Sequence, residues 1–257
     1  MILCVDIGNT RVRCALGSSK SYLQAAVDTN KITDASCFAA FLEENFGSHM
    51  TLLSGGIYSS VVPQKNADIL KAVKMINKRA IISPVNLAQM GIDFSGYKSA
   101  IGEDRAVCSW TGLKKYGAPV IVIDFGTATT INVINESNVY MGGAIFAGVQ
   151  TGIDSLARST ARLPQLDLSG TGLADAKLIG EDTFECIVSG AIIGAAFAAE
   201  GYVRRIESLL DTKFGTPPTV IITGGNASKV IPYCGFDFVC EPTLLIEGLF
   251  WLYETAL

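Results

Sequence analysis

One short pattern occurs twice in the sequence and limits the folds open to the chain. It consists of an apolar strand, the residues Asp-x-Gly with a small polar residue, and a second strand that follows at once. The first copy spans residues 2–16 and contains Asp6, and the second spans residues 120–134 and contains Asp124. Each copy predicts a β-hairpin with a glycine turn. A strand unit repeated in both halves of the chain predicts a duplicated α/β fold.

The turns of the two hairpins have the chemistry of a phosphate site. Gly8 and Gly126 let backbone amides approach an anion, and the neighbouring Asn9 and Thr127 can add hydrogen bonds. An aspartate at a strand end can hold hydrated Mg²⁺ or another cation that bridges phosphates. Asp-x-Gly is also common in ordinary tight turns, so one copy alone would favour a plain turn. Two copies after matching strands favour nucleotide binding.

Helices and strands alternate in the rest of the pattern, which is typical of α/β proteins. The predicted helices are Asp34–Phe46, Pro63–Asn77, Gly102–Tyr116, Val149–Arg158, Thr183–Leu210 and Thr243–Thr255. The further predicted strands are Thr51–Ser54, Ala80–Ser83, Tyr140–Phe146, Thr219–Thr223 and Phe236–Val239. Gly117-Ala118-Pro119 marks the expected boundary between an N-terminal lobe, residues 1–117, and a C-terminal lobe, residues 118–257.

Two further segments have an ordinary and a functional interpretation. Thr223-Gly224-Gly225 follows a predicted strand, which suits close approach of a flat ring such as adenine, or a plain turn capped by Asn226 or Ser228. The helix predicted from Thr183 is rich in Gly, Ala and Ser between residues 189 and 201. Small side chains allow tight packing inside a core, which is the better supported interpretation, or at a subunit interface.

Charge, apolar runs and cysteine usage disfavour several classes of protein. The formal net charge is -4 and no basic cluster occurs, so nucleic acid is not expected as a partner. The N-terminus lacks signal-peptide features, and the apolar run Ile187–Ala199 is interrupted by Ser189, Gly190 and Gly194. We therefore expect a cytoplasmic protein that does not span a membrane. Seven scattered cysteines without Cys-x-x-Cys indicate no disulfide framework or zinc site, and one histidine disfavours a Ser-His-Asp triad.

A candidate acceptor site lies at residues 102–105, Gly-Glu-Asp-Arg, where a loop enters a predicted helix. Asp104 could take the proton of a hydroxyl group, and Arg105 could hold an anionic substrate. Acidic residues are also common in a first helical turn, because they interact favourably with the helix dipole. A solvated helix start is therefore the plain alternative to a catalytic loop.

The motifs, taken in order, resemble those of type III pantothenate kinases, members of the superfamily that includes actin, hexokinase and the heat-shock ATPases. Single motifs are weak, but the ordered set is specific and covers nearly the whole chain. The matching segments are DIGNT at 6–10, YSSVVP at 58–63, Tyr97, GEDR at 102–105, DFGTATT at 124–130, GG at 142–143, TARLP at 160–164, GEDT at 180–183, SGAIIG at 189–194 and TGG at 223–225. The resemblance implies duplicated ribonuclease-H-like lobes, as in actin-like ATPases, with an ATP cleft between them.

The resemblance also implies roles for particular residues. Asp124 is implied as the ligand of a monovalent cation, K⁺ or NH₄⁺, and Asp104 as the proton acceptor. Thr183 is implied to reach substrate across a homodimer interface. The implied ATP-binding residues are Asp6, Ile7, Gly8, Asn9, Thr10, Arg11, Val12, Arg13 and Thr127. The implied pantothenate-binding residues are Tyr97, Gly102, Glu103, Asp104, Arg105 and Thr183.

The activity implied is transfer of the γ-phosphoryl group of ATP, with Mg²⁺, to pantothenate in the first step of coenzyme A biosynthesis.

Two positions depart from the family's usual pattern, since Cys108 replaces Asn and Ala147 replaces Pro. The alternatives are a kinase of the same superfamily that acts on another small hydroxyl substrate, and a nucleotide-binding regulatory protein without turnover. An actin-like filament is disfavoured because the chain is too short for the usual insertions.

Overall fold

The computed structural model describes residues 1–168, 176–210 and 217–256, which group into two compact units. The C-terminal segment groups with the first unit, although it follows the second unit in the chain. The lobe boundary between residues 117 and 118 stays a prediction. The first unit contains Met1–Ile92, Lys98–Thr111 and Thr243–Leu257, and the second contains Asp93–Tyr97 and Gly112–Pro242.

Strands and helices alternate along the chain as the sequence pattern predicts. In order, they are β1 (Ile2–Ile7), β2 (Arg11–Ser18), β3 (Ser21–Asp28), α1 (Ala35–Phe46), β4 (Gly55–Ser60), α2 (Pro63–Ile76), β5 (Ile82–Pro84), α3 (Glu103–Tyr116), β6 (Val120–Phe125), β7 (Ala128–Ile134), β8 (Tyr140–Ala147), α4 (Val149–Ser159), α5 (Thr183–Leu210), β9 (Thr219–Thr223), α6 (Ala227–Val230), β10 (Val239–Cys240) and α7 (Leu244–Thr255). Short 3-10 turns occur at Thr29–Lys31, Gly47–Leu52, Leu87–Gln89 and Ile231–Tyr233.

The two units contain sheets of the same topology, which confirms the predicted duplication. In the first sheet the order is β3-β2-β1-β4-β5, with β1 to β3 antiparallel and β4 and β5 parallel to β1. In the second sheet the order is β8-β7-β6-β9-β10, with β6 to β8 antiparallel and β9 and β10 parallel to β6. The central strand of each sheet therefore carries the aspartate of the repeated pattern.

The core of the first unit follows from the alternation of side chains along β1. Leu3 and Val5 are fully buried in an apolar cluster with Phe38 of α1 and Ile69 of α2. Because successive residues of a strand face opposite sides, Asp6 lies on the other side of the sheet, where α7 packs against β1 and β4. The strand thus combines a packed core face with a carboxylate near its C-terminal end.

The core of the second unit lies between its sheet and α5. Ile123 of β6 and Ile222 of β9 are fully buried there with Ile192 and Ala196 of α5. The apolar run Ile187–Ala199 was predicted to be interrupted and unable to span a membrane, but by length and composition alone α5 could cross one. Serine and glycine were read as interruptions, but membrane helices contain them. Core helices of water-soluble proteins have the same length and composition, and Ile192 and Ala196 pack within the unit.

The six predicted helices are confirmed to within one residue at each end, whereas three predicted strands are displaced. The strand predicted at Thr51–Ser54 is wrong, because the strand begins at Gly55, after a 3-10 turn. Gly56 allows close pairing with β1, since an added Cβ would lie 2.0 Å from Leu3 O. The strand β3 was not predicted. The strands predicted at Ala80–Ser83 and Phe236–Val239 are observed at Ile82–Pro84 and Val239–Cys240.

Candidate active site

The first hairpin joins β1 and β2 through a short turn of polar residues. Asp6 and Arg13 are opposite each other in the strand register, and Arg13 Nη1 lies 3.4 Å from Asp6 Oδ2. Gly8 N donates to Arg11 O at 3.0 Å, and an added Cβ on Gly8 would lie 2.9 Å from that oxygen. Thr29 braces the turn, because its Oγ1 donates to Gly8 O at 2.6 Å. Hydrogen bonds within the chain therefore hold the turn.

The predicted ATP-binding residues of this hairpin differ in exposure. Asn9, Thr10 and Arg11 are exposed at the turn. Ile7 and Val12 are fully buried in the core. Ile7 and Val12 can therefore offer a ligand only their backbone groups, while the three turn residues can also offer side chains.

The second hairpin joins β6 and β7 and is one residue tighter than the first. Asp124 is opposite Thr130 in the strand register. Thr127 at the tip is exposed, and its backbone oxygen accepts hydrogen bonds from Gly148 N at 3.1 Å and Thr151 Oγ1 at 2.7 Å. The start of α4 therefore holds the second turn, as Thr29 holds the first.

Backbone atoms of two glycines lie against the Asp124 carboxylate. Gly224 has a φ of +102°, and an added Cβ there would lie 2.3 Å from Asp124 Oδ1. An added Cβ on Gly126 would lie 3.2 Å from the same oxygen. Asn226 fastens this loop to the hairpin, since its N donates to Phe125 O at 2.9 Å and its side-chain amide donates to Gly126 O at 3.2 Å. The Thr-Gly-Gly segment thus closes around the aspartate of the second hairpin.

Residues 102–105 lead into the first turn of α3 in the first unit. Asp104 Oδ1 accepts a hydrogen bond from Arg105 N at 2.7 Å. A side chain at position 102 would displace the Asp104 carboxylate, because an added Cβ on Gly102 would lie 2.6 Å from Asp104 Oδ1. Glu103 Oε2 accepts a hydrogen bond from Ser60 N at 2.8 Å. The loop therefore presents one half-buried carboxylate, Asp104, and anchors a second, Glu103, to the end of β4.

Burial changes the acidity of both carboxyl groups. It raises the pKa of Asp104 above the usual value for aspartate, although the Arg105 amide and the Arg105 charge oppose the rise. Burial also raises the pKa of Glu103. The hydrogen bond from Ser60 N opposes this rise, and the charge of Asp104 adds to it. A raised pKa makes the ionised Asp104 a stronger base, and shifted carboxyl groups are concentrated at functional sites.

Tyr97 groups with the second unit and is connected to the second hairpin. Its ring meets Tyr140 edge-on, with 5.2 Å between centroids and 83° between planes. Tyr140 OH donates to Asn132 Oδ1 at 2.9 Å, and Asn132 Nδ2 donates to Thr130 Oγ1 at 3.1 Å. Thr130 is the register partner of Asp124. A chain of contacts thus runs from the predicted substrate residue to the predicted cation ligand.

Thr183 is exposed at the start of α5, where polar contacts fix the helix end. Asp182 Oδ1 accepts a hydrogen bond from Glu185 N at 2.8 Å, and Glu185 Oε2 accepts one from Glu181 N at 2.8 Å. Lys177 Nζ lies 2.8 Å from Glu185 Oε1. This arrangement resembles a capping box and holds Thr183 at the surface of the second unit.

An open groove of about 890 Å³ lies between α4 and α5 in the second unit. Gly152, Gly190 and Gly194 line it, and an added Cβ on any of them would meet no described atom within 4 Å. Thr183 lies at the same groove, and so does Ala147, where the family usually has proline. A helical glycine costs about 1 kcal/mol relative to alanine. Within the described part of the chain, no packing contact explains these three glycines.

The structure brings the predicted residues together in two groups. In the first unit, the hairpin Asp6–Arg13 and the loop Gly102–Arg105 both adjoin the end of β4. In the second unit, Tyr97, Asp124 and Thr127 are connected through neighbouring strands, whereas Thr183 lies at the groove. Cys108, the other departure from the family pattern, is buried within α3.

Three polar residues that support these groups, Thr29, Ser60 and Asn132, were not predicted, and Asn226 was predicted only as a possible cap, a bond that its side chain does not make. Thr29, Ser60, Asn132 and Asn226 each contact a residue that is brought near by strand pairing or by a loop. Such contacts leave no local sequence signal. Ser60 and Asn226 lie in or beside matched motifs, YSSVVP and TGG, which is the one hint that the sequence offers.

Single carboxylates, rather than a cluster, are available for cations. Among the residues that the structure describes, no group of three or more His, Cys, Asp or Glu side chains could hold a metal ion. Mg²⁺ in phosphoryl-transfer sites is often held by one or two carboxylates, water and substrate phosphates. Asp6 and Asp124, each beside a glycine turn, fit a cation that the nucleotide itself helps to bind.

Comparison with known sequences identifies the family. A family model described as type III pantothenate kinase matches residues 2–205. A type III pantothenate kinase from Brevibacillus brevis is 32% identical over 262 residues, which cover 99% of this chain and 98% of that protein. One from Gluconobacter oxydans is 33% identical over 255 residues, which cover 97% of this chain and 91% of that protein.

Solved structures share the fold at low sequence identity. A protein assigned to the Baf family of transcriptional activators, from Campylobacter jejuni, has a TM-score of 0.62 and 17% identity, with 99% of this chain and 98% of that chain covered. A protein assigned as an N-acetylmannosamine kinase, from Listeria monocytogenes, has a TM-score of 0.53 and 13% identity, with 99% of both chains covered. These likenesses confirm the predicted α/β fold with duplicated lobes of the actin-like ATPase type.

The matched residues include both hairpins, the acceptor loop and the start of α5. The relatives agree with this chain over nearly its full length at about one residue in three. The chain therefore belongs to the type III pantothenate kinase family.

Proposed function

We propose that the protein transfers the γ-phosphoryl group of ATP, bound with Mg²⁺, to pantothenate. The product is 4′-phosphopantothenate, which begins the route to coenzyme A. Besides family membership, one observation carries the proposal. In the first unit, Ser60 at the end of β4 pairs with Ile7 beside the phosphate turn and donates to Glu103 beside Asp104. A phosphate turn and a basic carboxylate thus adjoin one strand end.

The phosphates of ATP are assigned to the two hairpin turns. Asn9 and Thr10 at the first turn, and Thr127 at the second, are exposed and can donate hydrogen bonds to phosphate oxygens. Arg11, also exposed, offsets phosphate charge. Gly8 lets the backbone amides approach an anion. Ile7 and Val12 contribute through the backbone alone.

Asp6 and Asp124 are assigned to cations. Asp6 is buried, lies beside Arg13 and would hold Mg²⁺ through its water shell. Mg²⁺ supplies neutralisation of the charge that spreads over the γ-phosphoryl oxygens. Asp124, with the backbone of Gly126 and Gly224 against its carboxylate, is assigned to a monovalent cation, K⁺ or NH₄⁺. The single carboxylate and the close backbone fit a large ion of low charge.

Asp104 is assigned as the general base. It takes the proton of the primary hydroxyl of pantothenate while that oxygen attacks the γ-phosphorus and the bond to the bridging oxygen of ADP breaks. Phosphoryl transfer depends on alignment and charge neutralisation, so the protein must hold both reactants in line. Burial, which raises the pKa of Asp104, strengthens it as a base at neutral pH.

The remaining residues of the acceptor site are assigned to the pantothenate pocket, either as ligands or as parts of its loop. Arg105 follows the base directly and would bind the carboxylate of pantothenate. Gly102 keeps the loop close to Asp104, and Glu103 belongs to the same loop. Tyr97, held by Tyr140, would contact the body of the substrate.

A homodimer is assigned from the groove between α4 and α5. The glycines Gly152, Gly190 and Gly194 are unexplained by contacts within the described chain, and a partner helix seated in the groove would explain them. Thr183 lies at the same groove and would reach the substrate of the other protomer. The assembly and the cytoplasmic location are proposals, as is the absence of nucleic-acid and membrane partners.

A substrate panel tests the proposed function. Purified protein with ATP, Mg²⁺ and K⁺ is supplied in turn with pantothenate, with pantothenol, in which an alcohol replaces the carboxylate, and with small sugars. We expect the highest kcat/KM for pantothenate and a lower value for pantothenol, because Arg105 recognises the carboxylate. A higher kcat/KM for a sugar would identify another kinase of the superfamily. Binding of ATP without any product would favour a regulatory protein.

A further inference from the structure

Ser60 ends β4 at the border of the first phosphate hairpin. In the strand register it lies opposite Ile7, the last residue of β1. Val61 N then donates to Ile7 O at 3.1 Å, which continues the pairing up to the phosphate turn. Gly8 follows Ile7 directly. The backbone of Ser60 is therefore fixed relative to the turn that is assigned to the ATP phosphates.

Ser60 is held by side chains as well as by strand pairing. Its Oγ donates to Asn66 Oδ1 at 2.6 Å and accepts from Val62 N at 3.2 Å, which ties it to the start of α2. Its backbone N–H makes a separate contact, because it donates a hydrogen bond to Glu103 Oε2 at 2.8 Å. One residue thus joins the strand end, α2 and the start of α3.

Glu103 is the first residue of α3 and the direct neighbour of Asp104. A hydrogen bond to a carboxylate is roughly twice as strong as one between neutral groups, so the bond to Ser60 is a firm anchor. The Asp104 carboxylate lies over Gly102, within the same first turn. Burial raises the pKa of Tyr58 on β4, and the charge of Glu103 adds to the rise. The first turn of α3 is thereby held against the end of β4.

We propose that Glu103 is a positioning residue for Asp104. Its carboxylate ties the start of α3 to the Ser60 amide, so that the proton acceptor keeps its distance from the phosphate hairpin. For its kinetic consequences the proposal rests on the proposed function. The competing role is a direct contact between the Glu103 carboxylate and pantothenate.

Three variants separate these roles. Glu103→Gln keeps an oxygen that can accept from Ser60 N–H, although it is a weaker acceptor. Glu103→Ala removes the acceptor. Glu247→Ala is the matched control, because Glu247 also lies in the first turn of a helix of the first unit and accepts a hydrogen bond, from Thr243 Oγ1 at 2.5 Å. The measurements are kcat, the KM for each substrate, the thermal midpoint and the NMR shift of the Ser60 amide proton.

We expect Glu103→Ala to lower kcat by about tenfold or more, the range of one hydrogen bond to a charged group. The KM values for ATP and pantothenate should change little. In Glu103→Gln, kcat should fall by about two- to threefold, because a neutral amide oxygen is a weaker hydrogen-bond acceptor than a carboxylate. Glu247→Ala should keep the parent kcat even where its thermal midpoint falls. The downfield shift of the Ser60 amide proton should persist in Glu103→Gln and vanish in Glu103→Ala.

Three results would overturn the proposal. One is an unchanged kcat in Glu103→Ala, and another is an equal loss in the Gln and Ala variants, which would implicate the charge and not the bond. The third is a raised KM for pantothenate at constant kcat, which would make Glu103 a substrate ligand. If the parent protein forms no phosphopantothenate, the proposed function fails. The Ser60 amide shift still tests the anchor in that case, because it needs no turnover.

Discussion

Replacing Gly190 and Gly194 of α5 by alanine has opposite effects on a monomer and on a dimer. In the isolated chain, an added Cβ at either position meets no described atom within 4 Å. Helix propensity alone then sets the change in the free energy of unfolding. It favours alanine by about 1 kcal/mol at each position, or about 2 kcal/mol for the pair. For a chain of this size the thermal midpoint would rise by roughly 4–8 °C.

A partner helix seated against these glycines reverses the sign. Each new methyl group would then enter a packed interface, where overpacking costs about 1–3 kcal/mol. A two-fold axis places both changes in both protomers, so the penalty is doubled. We therefore expect the double variant to dissociate into monomers. Each monomer should be about 2 kcal/mol more stable to unfolding than a monomer of the parent sequence.

Light scattering over a range of protein concentrations, with thermal unfolding of the same samples, measures both effects. Gly201→Ala is the control in the same helix, because its added Cβ would lie 3.5 Å from Arg205 Nη1, an ordinary contact. It should stabilise the protein by about 1 kcal/mol and leave the dimer intact. A double variant that is as dimeric as the parent and more stable would show that the glycine face is not the interface. A monomeric, fully active parent would refute the dimer itself.

The remaining predictions concern the acceptor loop and the second hairpin. Asp104→Asn should lower kcat by about 10²- to 10⁴-fold at nearly constant KM for ATP, and steady-state kinetics showing more than about a tenth of parent kcat would contradict this. Folding raises the pKa of Asp104, so the folded protein binds this proton more tightly than the unfolded chain does. The stabilisation that the proton gives is complete at pH values below the unfolded pKa and is lost as the pH rises through the folded pKa. Asp104→Asn should therefore be at least as stable as the parent at pH 7 in urea unfolding, and a clear loss would contradict the burial argument. Arg105→Ala should raise the KM for pantothenate more than it lowers kcat, and kinetics with the opposite split would remove the carboxylate-binding role. Replacing K⁺ by Na⁺ should slow turnover of the parent but not of Asp124→Ala, and equal parent rates in both salts would exclude the assigned cation site.

The duplicated architecture could be predicted because its signal is local. Each hairpin has a buried strand, a glycine turn and a second strand in direct succession. The strand Ser21–Asp28 was missed, because it lies at a sheet edge and its side chains are mostly exposed or half-buried. Without a regularly buried face, a strand has no alternating apolar pattern to detect.

Glycine misled the prediction of β4. The strand was predicted at Thr51–Ser54, which ends directly before Gly55 and Gly56. In the structure they are needed for close packing, since an added Cβ on Gly56 would meet Leu3 O of β1. Whether a glycine marks a turn or a close contact depends on its neighbours in space, which a single sequence does not contain.

The sequence indicated candidate residues for the site, but not the hydrogen bonds that hold those residues in place. Asp104 and Asp124 could be singled out because a carboxylate beside glycine has recognisable chemistry. The anchor from Glu103 to Ser60 joins positions 43 residues apart and depends on the pairing of β4 with β1. The hydrogen bond of Asn226 to Gly126 spans 100 residues. Contacts of this kind arise only when the sheet has formed.

Mass analysis of the reaction product tests the central claim most directly. Parent protein and Asp104→Asn are each incubated with ATP, Mg²⁺, K⁺ and pantothenate, and pantothenate and the nucleotides are then analysed. We predict that the parent adds one phosphoryl group to pantothenate and releases an equal amount of ADP, while Asp104→Asn forms almost no product in the same time. Parent protein that binds ATP but leaves pantothenate unmodified would contradict the assignment as a pantothenate kinase.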